Sequence, residues 1–198
     1  KFSPTSVAVT DDGAIWIADG YGQSLLHRYR ADGTYVQSLS GEESEAGRLK
    51  TPHALWVDRR KREPELYVGD RSNARIVVYD LDGRFKRVIG PEATGGTLHT
   101  PTAFGGHGDL LFVCEFRAAR VTVLDASDRI VTYLGANEPI VQVDGWPNRK
   151  DATGQPVRPT DVPPGLFNGP HSCAADSAGN LYVAEWSIAG RYIKLEKL

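Results

Sequence analysis

The chain has 198 residues, of which 40% are hydrophobic and 24% are charged. This ordinary globular composition excludes collagen-like and disordered classes, and no run of 18 apolar residues offers a membrane span. The 23 Lys and Arg residues are balanced by 25 Asp and Glu residues, for a net charge of -2, so nothing in the charge predicts a nucleic acid or membrane partner. The two cysteines, Cys114 and Cys173, are too few for a disulfide scaffold, and the sequence indicates no role for them.

The chain contains no methionine and opens at Lys1 on a turn-and-strand pattern that is already under way. We therefore expect further sequence before Lys1. The localisation stays unknown, since a start of this kind carries no information about a signal peptide.

Four segments repeat a pattern of two short apolar strands, at positions 7–19, 55–70, 104–115 and 173–185. A further strand follows each of them, at 25–29, 76–79, 121–124 and 191–195. In the first two repeats an Asp-Gly turn then leads to an outer strand, at 35–39 and 85–89, and the third repeat has Asp125-Ala126-Ser127 at the turn. The two-residue alternation predicts half-buried antiparallel sheets joined by tight turns.

The repeats begin at Pro4, Pro52, Pro101 and Pro170, which are 48, 49 and 69 residues apart. Four-stranded units at such spacings are typical of β-propeller blades. The sequence therefore predicts an all-β, single-domain β-propeller with four blades, at about 1–50, 51–98, 99–134 and 166–198. A sandwich or barrel would have similar strands but would not explain a repeat of position as well as of pattern.

The longer third spacing indicates an insertion between Leu134 and Phe167, which holds half of the 12 prolines, including Pro159. This composition predicts a loop of polyproline character rather than a further blade. Trp146 in this loop is a candidate aromatic contact for a ligand, and the alternative is that it anchors the loop on its own blade.

An acidic residue follows the second strand of every repeat: Asp19, Asp70, Glu115 and Glu185. Its presence in all four blades favours a structural role, in which the carboxylate accepts backbone N–H groups of the following turn. Arg75 and Arg120 are interpreted as structural for the same reason.

The residue after each blade's first proline alternates: Thr5, His53, Thr102, His171. In a propeller this position lies where the innermost strand begins, so its side chain can point into the central channel. In a ring of six blades, alternate blades are 120° apart, and three imidazoles with one open position form a catalytic zinc site. We therefore predict that His53 and His171 bind a transition metal, with a third histidine on a blade before Thr5. The alternative is that each histidine only makes hydrogen bonds.

The turns after the second strand also differ between blades. Blade 1 has Tyr21 there and blade 2 has Arg71, whereas blades 3 and 4 have Phe116 and Trp186. A phenol can transfer a proton, and a guanidinium can bind a carboxylate. Tyr21 and Arg71 are therefore the candidate catalytic residues, with Arg71, Phe116, Trp186 and Trp146 as candidate substrate contacts.

Several motifs, in this order, resemble the NHL-repeat propellers and, more narrowly, the peptidyl-alpha-hydroxyglycine alpha-amidating lyase family. They are Ala18-Asp19-Gly20-Tyr21, Thr51-Pro52-His53-Ala54-Leu55, Asp70-Arg71-Ser72-Asn73-Ala74-Arg75-Ile76 and Gly169-Pro170-His171. The resemblance implies a six-bladed ring in which three histidines hold zinc, with His53 and His171 as the second and third. It implies that Tyr21 acts as the base and that Arg71 belongs to the site. The implied reaction cleaves a peptidyl-alpha-hydroxyglycine to a peptide amide and glyoxylate.

Two features depart from this family. An aspartate associated with a structural calcium follows the third histidine there, whereas this chain has Ser172, so calcium is not predicted. The Gly145-Trp146-Pro147-Asn148 segment resembles bacterial lyase-like NHL proteins, so the metal site can be shared while the substrate differs.

Three functions remain open from the sequence. The first is a zinc-dependent lyase or hydrolase acting on a small-molecule or peptide substrate that carries a carboxylate. The second is a non-catalytic NHL scaffold that binds protein or peptide. A calcium-dependent propeller hydrolase such as a lactonase comes third, because it would need Glu, Asn and Asp ligands where this chain has Thr and His.

Overall fold

The computed structural model describes residues 1–156, 162–188 and 190–197. It is all-β, and four antiparallel sheets follow one another along the chain as blades, which confirms the predicted fold class. The chain divides into two compact units, residues 1–101 and 102–198.

The first unit holds two four-stranded sheets in which each strand pairs with the next one along the chain. Its first sheet contains β1 (Ser6–Val9), β2 (Ile15–Asp19), β3 (Leu25–Tyr29) and β4 (Tyr35–Leu39). Its second contains β5 (Pro52–Asp58), β6 (Glu65–Asp70), β7 (Arg75–Tyr79) and β8 (Phe85–Ile89). A 3-10 turn at Arg71–Asn73 joins β6 to β7, and a short helix, α1 (Pro91–Thr94), follows β8.

The two sheets of this unit bury one hydrophobic cluster. Trp16 of β2, Leu66 and Val68 of β6, and Val77 and Tyr79 of β7 lie in it. The outer hairpins turn at Gly33 and Gly83, whose φ angles of 84° and 91° lie in the left-handed region that glycine adopts without a steric penalty. The Asp-Gly pairs in the sequence therefore mark these turns.

In the second unit, β9 (Pro101–His107), β10 (Leu110–Glu115), β11 (Arg120–Leu124) and β12 (Ile130–Leu134) form a four-stranded sheet. The last sheet consists of β13 (Pro170–Ala175), β14 (Leu181–Glu185) and β15 (Arg191–Leu195). Among the residues described, this blade therefore has three strands, where the other blades have four. The two sheets of the second unit bury one hydrophobic cluster, which includes Phe112, Val123, Phe167, Leu181 and Val183.

The insertion contains no strand long enough to add a blade in its described part. A 3-10 turn at Glu138–Gln142 and a bridge between Lys150 and Pro156 are its only regular features there. Pro159 lies outside the described residues. None of the helices described is long and apolar enough to cross a membrane.

The recurring acidic side chains are buried, and in blades 1, 2 and 4 they tie the hairpin to the segment that leads into the blade. Asp19 accepts the backbone N–H of Ser3 at 2.5 Å, and Asp70 accepts that of Lys50 at 2.7 Å. Glu185 accepts that of Asn168 at 2.5 Å. Asp19 also accepts the N–H of Gln23 in the following turn, as the sequence predicts, whereas the bonds to the preceding segment are an addition to that prediction.

Three of these acids also pair with an arginine on the neighbouring strand. Arg75 donates to Asp70 at 2.8 Å, Arg120 to Glu115 at 2.8 Å and Arg191 to Glu185 at 3.4 Å. A buried carboxylate needs a partner because burial removes the water that would stabilise its charge. The arginine supplies both charge and hydrogen bonds.

We expect Asp70→Ala to lower the free energy of unfolding by about 3 kcal/mol, because it leaves the Arg75 guanidinium and the Lys50 N–H without their buried acceptor. Urea denaturation at neutral pH measures this. Glu42→Gln is the control, since Glu42 pairs with Arg48 on the surface, where such pairs contribute less than about 1 kcal/mol. Equal losses in the two variants would contradict the structural role of Asp70.

A second carboxylate in blade 2, Glu65, is surrounded by cations. Arg87 binds its two oxygens at 3.0 and 2.7 Å, and Lys86 approaches at 2.5 Å. Burial by itself would raise the pKa of Glu65, but the hydrogen bonds from Arg87 and Lys86 and the charges of Arg87 and Lys61 outweigh it and lower the pKa from 4.5 to about 2.

This lowered pKa has a consequence for stability. The contribution of Glu65 is present above its unfolded pKa near 4.5 and is lost as the pH falls through about 2, because the unfolded chain then binds the proton more readily. We expect Glu65→Gln to weaken the decline in unfolding free energy between these two pH values, as measured by urea denaturation across the acid range. An unchanged decline would show that Glu65 is not its source.

Candidate functional site

Three of the residues singled out in the sequence meet at one end of the first unit. Tyr21 follows β2, His53 lies at the start of β5, and Arg71 follows β6. The Tyr21 hydroxyl lies 3.0 Å from His53 Nε2, and a guanidinium N–H of Arg71 donates to the same hydroxyl at 3.0 Å. One phenol oxygen therefore contacts both an imidazole and a guanidinium.

The three side chains also contact one another through the Tyr21 ring. Tyr21 and His53 meet edge to face with centroids 5.5 Å apart, and the Arg71 guanidinium carbon lies 5.2 Å from the centre of the Tyr21 ring. His53 is buried, whereas Tyr21 is 56% exposed. The imidazole is thus fixed by the protein, and the phenol can meet a molecule arriving from solvent.

Thr5 and Gly20 hold the first hairpin against the start of β5. The Thr5 hydroxyl donates to the carbonyl of Pro52 at 2.8 Å, directly before His53. A Cβ atom at Gly20 would lie 2.2 Å from the same carbonyl oxygen, so only glycine allows this approach. The Asp-Gly-Tyr sequence therefore places Tyr21 beside His53 because its glycine permits close packing of the two blades.

The other candidates meet in the second unit, around Phe116. This ring lies after β10, with centroid distances of 4.6 Å to Trp146, 5.7 Å to Trp186 and 6.0 Å to His171. Trp186 is 53% exposed. We call Phe116, Trp146 and Trp186 the aromatic cluster.

Trp146 also fastens the insertion to its blade. Its indole N–H donates to the carbonyl of Asn168 at 2.8 Å, and the Asn168 side chain donates to the carbonyl of Pro147 at 3.2 Å. Trp146 therefore anchors the loop on its blade, as the alternative interpretation predicted. A contact between Trp146 and a substrate stays a prediction.

The two threonines have a structural role that the sequence did not predict. Thr102 resembles Thr5, since its single hydroxyl hydrogen is shared between the carbonyls of Cys114 at 3.1 Å and Pro170 at 3.4 Å. The alternation of Thr and His is the sequence pattern that marks both threonines.

The structure permits a test of whether these residues suit zinc. Imidazole nitrogens are good zinc ligands, and His53 and His171 both lie at the start of an inner strand. The Nε2 atom of His53 contacts the Tyr21 hydroxyl, so an ion bound at this nitrogen would have to displace the phenol or share its surroundings. In residues 1–156, 162–188 and 190–197, no group of three or more His, Cys, Asp or Glu side chains is arranged to hold a metal. The donor type fits zinc, but the described residues do not complete a ligand set.

No protein-family model matches this chain. Among curated proteins, peptidyl-alpha-hydroxyglycine alpha-amidating lyase 1 of Drosophila melanogaster is 26% identical over 197 residues, which cover 92% of this chain and 33% of the relative. Peptidylglycine alpha-amidating monooxygenase of Rattus norvegicus is 32% identical over 84 residues, or 40% of this chain and 8% of the relative. The chain thus spans a third or less of the length of these relatives.

Among solved structures, hydrazine synthase of Kuenenia stuttgartiensis has a TM-score of 0.64 at 13% identity, over 98% of this chain and 46% of that one. An inactive virginiamycin B lyase of Staphylococcus aureus has a TM-score of 0.59 at 12% identity, over 100% and 56%. The WD40 repeats of RRP9 give 0.60 at 14% identity, over 93% and 46%. These likenesses support the β-propeller fold.

We expect Trp146→Ala to make the segment 135–156 at least about ten-fold more susceptible to limited proteolysis, because it removes the ring contact with Phe116 and the hydrogen bond to Asn168. Mass spectrometry of the fragments measures this. Trp186→Ala is the matched control, because it removes a ring that is more exposed and meets Phe116 edge to face. Equal cleavage rates in the two variants would show that Trp146 does not anchor the insertion.

Proposed function

We propose that this protein is a zinc-dependent lyase, which cleaves the C–N bond of a small carboxylate-bearing substrate of the peptidyl-alpha-hydroxyglycine type within the channel of a six-bladed propeller. The observation that carries the proposal is the contact of Tyr21 with both His53 and Arg71. The name of the Drosophila melanogaster relative, an alpha-amidating lyase, supports the same reaction class.

Arg71 is the proposed anchor for the substrate carboxylate. A guanidinium has five N–H donors, so Arg71 can keep its bond to Tyr21 and still bind a carboxylate through other donors. This arrangement would hold the carbon next to the carboxylate, where the hydroxyl and the amide nitrogen are attached, close to the phenol oxygen of Tyr21. The aromatic cluster is the proposed contact for the apolar remainder of the substrate.

Tyr21 is the proposed proton carrier. Its deprotonated oxygen would take the proton of the substrate hydroxyl, and the hydroxyl oxygen would become the aldehyde oxygen of glyoxylate as the C–N bond breaks. The electron pair of that bond goes to the amide nitrogen, which takes the proton back from Tyr21. The charge of Arg71 stabilises the phenol oxygen while it is negative, and His53 fixes its position.

Zinc, when bound, would supply a Lewis acid that polarises a substrate oxygen. His53 and His171 are its proposed ligands, as the alternation of Thr and His predicts, and a histidine on a further blade is the proposed third. This part of the proposal rests on the sequence pattern and on the imidazole chemistry of the two side chains.

The experiment compares variants of the full-length protein loaded with zinc, using a peptidyl-alpha-hydroxyglycine as substrate and glyoxylate release as the readout. We expect Tyr21→Phe to lower kcat about 100-fold or more while zinc is retained, because it removes the proton carrier and leaves the imidazoles in place. His53→Ala should lose both bound zinc, measured by elemental analysis, and activity.

Tyr35→Phe is the matched control, because Tyr35 is also 56% exposed but bonds only to Ser38 at the surface among the described residues. Its activity should equal that of the unchanged protein. If the unchanged protein binds no transition metal and releases no glyoxylate, the lyase proposal fails and a non-catalytic binding scaffold becomes the better description. Zinc binding without turnover of this substrate would overturn the substrate class.

A further inference from the structure

The two cysteines lie in neighbouring blades of the second unit. Cys114 is in β10 and Cys173 in β13, and both belong to the hydrophobic cluster that contains Phe112 and Val183. Cys114 is fully buried and Cys173 is partly exposed, and both are free thiols in the structure. Neither residue has a part in the proposed reaction.

The Cys173 side chain lies against the strand that carries Cys114. Its thiol donates to the carbonyl oxygen of Phe112 at 3.9 Å, and Phe112 comes two residues before Cys114 on the same strand, so the side chains of Phe112 and Cys114 share one face of it. A Cβ atom at Gly105 of β9 would lie 3.1 Å from the Cys173 sulfur. The glycine therefore leaves room for this sulfur beside the strand that pairs with β10.

We propose that Cys114 and Cys173 are a reversible redox pair, which joins two blades of the second unit through a disulfide when a small disulfide such as oxidised glutathione is present. A disulfide needs its two sulfurs to approach to about 2.05 Å, and the packing of Cys173 against the strand that carries Cys114 places the two side chains in one neighbourhood. These 198 residues contain no third cysteine, so no other pairing within them competes.

The order of the steps follows from the different environments of the thiols. The hydrogen bond with Cys173 and burial both raise the pKa of Cys114, so Cys114 stays protonated and shielded. Cys173, the more exposed thiol, would attack glutathione disulfide first, which gives a mixed disulfide and one released glutathione that takes up the proton of Cys173. Cys114 would then give up its proton and attack the Cys173 sulfur, which releases the second glutathione. Two protein thiols are oxidised, and one glutathione disulfide is reduced to two thiols.

The disulfide would constrain the insertion. Residues 115–172 lie between the two cysteines, and they include the whole segment from Leu134 to Phe167 with Trp146. Closing a loop of this length removes conformational freedom from the unfolded chain, so the oxidised form should be the more stable one. Cys114 lies in the buried cluster and Cys173 packs against it, so the stabilisation by the disulfide should extend to both blades.

The test incubates the full-length protein with oxidised glutathione at pH 8 and reads the product by mass spectrometry before and after dithiothreitol. We expect the loss of two hydrogen atoms and a cross-link between the tryptic peptides 88–117 and 151–191, both reversed by the reductant. The Tm should rise by about 5 to 15 °C on oxidation and return on reduction.

Cys173→Ser and Cys114→Ala are the paired controls. Cys114→Ala should form a stable mixed disulfide with one glutathione at Cys173, because the resolving thiol is missing, and Cys173→Ser should react far more slowly, because its remaining thiol is buried. Two glutathione adducts on the unchanged protein, a disulfide between two chains, or two thiols that stay open to alkylation would each overturn the proposal. The readouts require neither zinc nor turnover, so they are independent of the lyase proposal.

Discussion

The buried carboxylate after the second strand of each blade is the constraint on which the rest of the structure depends. Away from water, its charge must be met by hydrogen-bond donors. These come from the segment that leads into the blade in blades 1, 2 and 4, and from an arginine in blades 2 to 4. The residues that come directly or nearly directly after the carboxylate thereby gain fixed positions. These are the residues that differ between blades: Tyr21, Arg71, Phe116 and Trp186. A buried carboxylate that recurs in every blade thus fixes the position of side chains that differ from blade to blade.

In the alternation of Thr and His, the threonines have a structural role, and the histidines are the residues available for chemistry. In each unit the threonine of the first blade donates to the proline carbonyl at the start of the second blade. This bond explains the threonines without any ligand. Each histidine directly follows the proline whose carbonyl accepts the threonine hydrogen bond. The threonine of one blade therefore helps to position the backbone of the histidine in the next blade. For His53, the result is an imidazole buried beneath an exposed phenol.

The sequence predicted those features that depend on local pattern. The alternation of apolar residues predicted the strands, the Asp-Gly pairs predicted two of the outer turns, and the fourfold repeat predicted the blades. It also placed Tyr21, His53 and Arg71 at one end of their blades, where they are in contact. It did not predict that Trp146 packs on Phe116, because that contact depends on the path of a proline-rich loop with no periodicity. It predicted backbone N–H partners in the turn that follows each acid, as Gln23 is for Asp19, but not those in the segment before the blade, because a backbone donor does not depend on residue type.

Blade 1 departs from the others in a way that bears on Tyr21. The residue opposite the carboxylate on the third strand is Arg75, Arg120 or Arg191 in blades 2 to 4, but it is Leu25 opposite Asp19. Asp19 is instead bonded by the backbone N–H groups of Ser3 and Gln23, so the turn after β2 wraps around it. A Cβ atom at Gly22 would lie 2.1 Å from a carboxylate oxygen of Asp19, so the turn passes too close to Asp19 for any residue other than glycine at this position. With glycine on both sides, Tyr21 is the only residue at positions 20–22 with a side chain beyond hydrogen. The close contact of Gly22 with Asp19 fixes the turn from which the Tyr21 hydroxyl reaches His53.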